Sequence, residues 1–202
     1  MAPSTRLAGG LDRESVLLPF DTVYGLAARE DEASVRRLYE LKGRAARQPT
    51  ALVASDPDCL VERIPELDTG LLLHGAFTLI VPNPARRFPW LTGRSPDRIG
   101  VRLPEVTGQT AGILAAVGAL VATSANHPGG RDPASLDDVP DDIRAGVAAA
   151  IDGGELPGAP STVVDLTQSE PRIIREGAVS AAETLRRLEA AVRSRRNPGE
   201  ES

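Results

Sequence analysis

Residues Ser15 to Thr22 read SVLLPFDT: an apolar run that stops at Pro19 and opens into the polar turn Phe20-Asp21-Thr22. Too short for a helix, the run predicts a buried strand, Ser15 to Pro19, that delivers a loop. The same order recurs at Leu120 to Asn126, LVATSAN, where a predicted strand over Leu120 to Thr123 runs straight into Ser124-Ala125-Asn126. Buried strands that end in hydroxyl, amide and carboxylate groups suit an α/β sheet whose strand ends gather a ligand.

Working outward, Glu32 to Lys42 (EASVRRLYELK) places Val35, Leu38, Tyr39 and Lys42 along one side at helical spacing, with Gly43 as the stop. Strands are predicted at Thr50 to Ala54, Phe77 to Val81, Ile99 to Leu103, Ala148 to Asp152, Thr162 to Leu166 and Arg172 to Arg175. Helices are predicted at Glu66 to Leu73, Gly108 to Val117 and Ala181 to Arg195, the last with Leu185, Leu188 and Val192 on its apolar face. Asn83 to Arg98 carries three prolines, four arginines and Trp90, the composition of a long loop with a task of its own. Asn197 to Ser202 should fray. No repeat, low-complexity block or linker divides the chain, so residues 1–202 are expected to form one domain, its core spanning about 15–180. The expected class is α/β, a twisted mixed sheet flanked by helices, whose strand order the pattern leaves open.

Composition narrows the partners. Of 202 residues 41% are hydrophobic but only 3% aromatic, so the core should be packed from small aliphatic side chains. A net charge of −5 argues against a surface wrapped in nucleic acid, and leaves room only for a local basic cavity. Cys59 is the single cysteine, which excludes an intramolecular disulfide and a cysteine-rich zinc site, and reads as a packed or half-exposed thiol. The first residues, MAPSTRLAGGLDRE, lack the apolar core of a secretory signal, and no stretch approaches the roughly 18 apolar residues of a membrane span. A cytoplasmic protein, with no membrane partner, is the expectation.

Hydrolase triads, zinc helices and nucleotide-binding P-loops are not encoded: HExxH, CxxC, GxSxG and GxxxxGK[ST] do not occur. The two histidines, His74 and His127, sit in Gly/Pro turns that suit solvated loops better than catalysis. What remains after the predicted strands is Thr22, Lys42, Arg44, Arg102, Thr123, Ser124, Asn126, Ser161, Thr162 and Arg175. Cations among hydroxyls and amides hold phosphates and carboxylates, so the implied chemistry is positioning and charge stabilisation. Singly, each has a plainer reading: Lys42 and Arg44 as cations at a helix C-terminus, Ser124 and Asn126 as turn formers.

Together and in order, LPFDTVYGLAA (Leu18 to Ala28), LYELKGRAARQP (Leu38 to Pro49), FTLIVP (Phe77 to Pro82), IGVRLP (Ile99 to Pro104), ATSANHPGG (Ala122 to Gly130), STVVDL (Ser161 to Leu166) and RIIREGAVS (Arg172 to Ser180) resemble the YrdC family. The resemblance implies a twisted sheet around a large concave, locally positive cavity. It also implies L-threonylcarbamoyl-adenylate synthase activity: L-threonine, bicarbonate and ATP joined with release of pyrophosphate, and magnesium carried largely on the substrate phosphates. A separate transferase complex would pass the product to adenosine in tRNA.

Matched position by position, Lys42 and Arg44 fall on the family's Lys-x-Arg and would contact ATP phosphates as catalytic cations. Ser124 and Asn126 fall on its Ser-x-Asn, orienting nucleotide and threonine. Arg102 would pair with the threonine carboxylate, Thr22 and Ser161 would line the amino-acid pocket, and Arg175 and Gln48 would meet the nucleotide. Three features depart from the pattern: Phe20 stands where the family has threonine, Gln48 replaces Lys or Asn, and LLHGAF replaces a Trp-Pro-Gly-Pro lead-in. The stretch before Ser15 is shorter and more polar than the expected helix. The chain's end about twenty residues after the last block matches the short, single-domain type. Two other readings stay open: a module that holds a nucleotide or double-stranded RNA without turnover, and carbamoyl-adenylate chemistry like that of hydrogenase-maturation proteins.

Overall fold

A computed structural model describes residues 14–45 and 47–196. The polar N-terminal stretch and the tail expected to fray lie outside the described residues. Nine strands form one mixed sheet. They are β1 (Val16–Pro19), β2 (Tyr24–Ala28), β3 (Ala51–Ala54), β4 (Phe77–Pro82), β5 (Arg98–Arg102), β6 (Ala119–Ser124), β7 (Ala149–Ala150), β8 (Thr162–Asp165) and β9 (Arg172–Arg175). Their order is β7-β1-β2-β6-β3-β5-β4-β8-β9. The helices are α1 (Glu32–Lys42), α2 (Pro57–Arg63), α3 (Gly108–Val117), α4 (Asp141–Ala145) and α5 (Ala181–Arg196).

Side-chain alternation divides the sheet into two faces. On β1, Leu17 joins one apolar cluster while Val16 and Leu18 join the other, and on β3 Leu52 and Val53 split in the same way. The larger cluster receives Val35, Leu38 and Tyr39 of α1, Leu60 of α2 and Leu188 of α5. The smaller receives Ile113 and Leu114 of α3. Phe77, Leu79 and Val81 of β4, with Ile99 and Val101 of β5, also pack into the larger cluster. Their neighbours Thr78, Ile80, Gly100 and Arg102 therefore point to the opposite face, where they line an open cavity. That half-covered face is what positions the site.

Local chemistry explains the helix bounds. The Asp31 side chain accepts the Ser34 N–H at 3.0 Å to start α1, and Gly43, at φ +66°, ends it in the left-handed conformation that favours glycine. A helix expected over Glu66 to Leu73 is instead a single 3₁₀ turn at Thr69–Leu71, and the helix lies earlier, at Pro57–Arg63. Asp56 accepts the Cys59 N–H at 2.9 Å beside Pro57 at the first turn, a start signal that outweighs apolar spacing. Strand β2 has no sequence-based counterpart because YGLAA, rich in glycine and alanine, lacks the continuous aliphatic run that marks β1. The short helix α4 likewise has no sequence-based counterpart. On α5 the buried residues include Thr184 and Leu188, whereas Leu185 is exposed and borders a shallow groove with Leu71 and Leu166.

The long loop between β4 and β5 is pinned. Asn83, fully buried, donates from its amide to the carbonyls of Arg87 and Pro96, both at 2.9 Å, and accepts the Arg87 N–H at 3.0 Å. Trp90 donates to the Glu30 carbonyl at 2.8 Å. Cys59 is half-buried with a free thiol. Among the described residues no helix is long and apolar enough to cross a membrane.

Candidate functional site

Strands β5, β4 and β8, the end of β6 and the chain after α1 surround a cavity of about 490 Å³, within the usual range for small-molecule sites. Among the described residues six arginines line it, Arg44, Arg47, Arg94, Arg98, Arg102 and Arg175, and no aspartate or glutamate does. In this acidic chain the cavity wall gathers cations, two of them paired with carboxylates from behind the lining: Arg102 with Asp21, and Arg98 with Asp165 at 3.1 Å. In such a setting guanidinium forks stabilise phosphate and carboxylate charge more than they would in open solvent.

At one end, Arg102 donates from Nη2 to Asp21 and, at 2.9 Å, to the Thr22 hydroxyl. Asp21 also accepts the Glu105 N–H at 3.0 Å. Burial pushes the Arg102 pKa down and the adjoining Asp21 carboxylate pushes it back up. The Phe20 ring lies 5.6 Å from the guanidinium carbon, and its edge rests where a Cβ on Gly25 would otherwise stand. Nearby, the Ser161 and Thr78 hydroxyls share a hydrogen bond of 2.8 Å, and Arg175 donates to the Ser161 carbonyl at 2.8 Å. Gly177 is what permits that approach, since a Cβ there would sit 2.1 Å from the Pro160 carbonyl oxygen.

At the other end, Arg44 donates to the Thr123 hydroxyl at 2.9 Å and to the Pro49 carbonyl, and lies 5.8 Å above the Tyr39 ring. Burial lowers its pKa from the usual arginine value. Ser124 completes this wall and donates its hydroxyl to Asn126 Oδ1 at 2.8 Å.

Of the residues expected to gather, Thr22, Arg44, Arg102, Thr123, Ser124, Ser161 and Arg175 line the one cavity. Lys42, Asn126, Thr162 and Gln48 do not. Thr162 is fully buried and accepts the backbone N–H groups of Gly177 and Val179 at 3.0 and 3.3 Å, a structural role. Gln48 is exposed, and it is its backbone carbonyl that is engaged, by the Tyr39 hydroxyl at 3.1 Å. Lys42 and Asn126 sit behind the wall. Sequence reasoning missed Arg47, Thr78, Thr92, Arg94, Ser95 and Arg98. Alternation along β4 and β5 is the signal that would have found Thr78 and Arg98. His127 is half-exposed and contacts Asp142 at 3.1 Å, and His74 is exposed beside Leu103, both outside the cavity.

A search of known families matches residues 12–177 to the Sua5/YciO/YrdC domain, described as "Telomere recombination". The threonylcarbamoyl-AMP synthase of Pyrococcus abyssi is 35% identical over 188 residues, covering 88% of this chain and 55% of that protein. That of Xanthomonas euvesicatoria pv. vesicatoria is 33% identical over 165 residues, covering 75% of this chain and 83% of the relative. The crystal structure of P. abyssi Sua5 complexed with L-threonine superimposes with a TM-score of 0.80 at 30% identity, covering 94% of this chain and 57% of that one. The chain therefore spans little more than half the length of the Pyrococcus relative.

Proposed function

Because the chain belongs to the Sua5/YciO/YrdC family, we propose that it uses ATP to adenylate a carbamoylated L-threonine, forming threonylcarbamoyl-AMP and pyrophosphate. The observation that carries this reading is the convergence of separate strand ends on one arginine-lined cavity without a carboxylate in its walls. Such a wall suits two anionic reactants held side by side, and it supplies no strong base of its own. The naming of relatives as threonylcarbamoyl-AMP synthases, and the threonine bound by one of them, support the choice of reaction.

The threonine amine takes up bicarbonate with loss of water to give a carbamate. One carbamate oxygen then bonds to the α-phosphorus of ATP as the bond from that phosphorus to the pyrophosphate oxygen breaks. Arg102, with Thr22 and Ser161 beside it, receives the amino-acid carboxylate; Arg44 and Arg175 face the phosphates. Charge gathering on the phosphoryl oxygens is thus met by guanidinium groups already fixed in place. With no carboxylate in the lining, magnesium would enter on the ATP phosphates as part of the substrate. The product would be handed to a separate transferase acting on adenosine in tRNA.

Pyrophosphate release from ATP is expected to require both L-threonine and bicarbonate. Release that is indifferent to threonine would sink this reading.

A further inference from the structure

Lys42 and Arg44 flank Gly43, whose left-handed turn sends their side chains to different places. Arg44 lines the cavity, whereas Lys42 is only 4% exposed and does not. The Lys42 ammonium donates to the Ser124 carbonyl, to Asn126 Oδ1 at 2.8 Å and to the Ser124 hydroxyl at 3.4 Å. An ammonium has three N–H donors, and all three are engaged. A guanidinium has five, and Arg44 commits only two, so Arg44 retains donors for a phosphate. Asn126 is held in turn: its amide donates to the Gly130 carbonyl at 2.8 Å and to Asp132 at 3.2 Å.

We infer that Lys42 is a positioning residue, which fastens the end of α1 to the 124–126 turn so that Ser124 and Arg44 hold their places in the cavity wall, and that it does not touch the nucleotide. The inference deepens the nucleotide-binding reading of the same site and rests on it. The charged and titratable groups around Lys42 are Arg44, Asp132, the His127–Asp142 pair reaching its carbonyl, and Tyr39 on α1. Burial first, and then Arg44, lowers the Lys42 pKa to about 8, while Asp132 opposes the shift. As pH rises through that value the amine loses a donor and the clamp loosens.

The test compares wild type, Lys42→Met, Lys42→Gln, Asn126→Ala and the Lys42→Met/Asn126→Ala double variant. Pyrophosphate release is followed from pH 6.5 to 9.5, and Kd for ATP is measured on these proteins and on Arg44→Met and Lys42→Met/Arg44→Met. Lys42→Met is expected to lose on the order of ten- to a hundredfold in kcat/KM, the range for a hydrogen bond to a charged group. The double variant should lose no more than about threefold beyond that, because both substitutions break one unit. The alkaline limb near pH 8 should vanish in Lys42→Met. Lys42→Gln, neutral yet still able to donate to the Ser124 carbonyl, should recover part of the loss. Because Lys42 acts through its neighbours, adding Lys42→Met to Arg44→Met should leave Kd for ATP within about threefold of Arg44→Met alone.

Losses that multiply in either double variant, or equal activity in Gln and Met, would each overturn the inference. Should wild type release no threonine-dependent pyrophosphate, the proposed reaction fails by itself. The ATP affinities of the Lys42/Arg44 pair of variants, read on proteins whose circular dichroism matches wild type, still decide the role of Lys42.

Discussion

Asp21→Ala is expected to lower the thermal unfolding midpoint by about 6–20 °C, from a loss of about 3–5 kcal/mol spread over a domain of this size. Asp21 and Arg102 each expose only 11% of their side chains, so removing the carboxylate leaves a guanidinium buried without its counter-charge. The Glu105 N–H loses its acceptor at the same time. Restoring neutrality should restore stability: Asp21→Ala combined with Arg102→Met is expected to melt above Asp21→Ala alone. Scanning calorimetry on the three proteins checks this, and a single variant that melts within about 2 °C of wild type, a shift of less than about 1 kcal/mol, would show that the pair is not what holds Arg102.

The second large effect falls on turnover. Arg44→Met is expected to reduce threonine-dependent pyrophosphate release by about a hundred- to a thousandfold, the range for removal of one fixed donor facing developing charge. Arg44→Lys should not recover it. Its compact ammonium cannot bond both Thr123 and the Pro49 carbonyl and still present a planar fork to a phosphate. Steady-state kinetics with ATP varied checks the claim, and near-wild-type kcat in Arg44→Lys would show that charge alone suffices there.

The fold was legible wherever a segment has one buried face or a clear stop. Helix α1 matches the predicted Glu32 to Lys42 because a single apolar stripe runs to a terminal glycine, and β1 and β4 follow from short apolar runs that stop at proline. Strand β2 was not, since its glycine and alanines give no aliphatic run, and α2 was displaced because capping by Asp56 is a local signal that periodicity ignores. The site was legible through its motifs at strand ends, which brought Arg102, Ser124, Ser161 and Arg175 to one cavity. Motifs could not say which side of the wall a residue occupies. Lys42 and Arg44 are two positions apart, yet one is enclosed and the other lines the cavity, with the left-handed turn at Gly43 between them. Arg94 reaches the cavity from the pinned loop, whose course does not follow from residue type, whereas Arg98 follows from the alternation of β5 once its register is read.

A crystal structure with a non-hydrolysable ATP analogue and L-threonine is the most direct test of the proposed site. Both molecules are expected in the arginine-lined cavity, the amino-acid carboxylate on Arg102 and the phosphates toward Arg44 and Arg175. Threonine bound away from Arg102, or nucleotide density in the apolar groove between Leu71, Leu166 and Leu185 instead of the cavity, would contradict it.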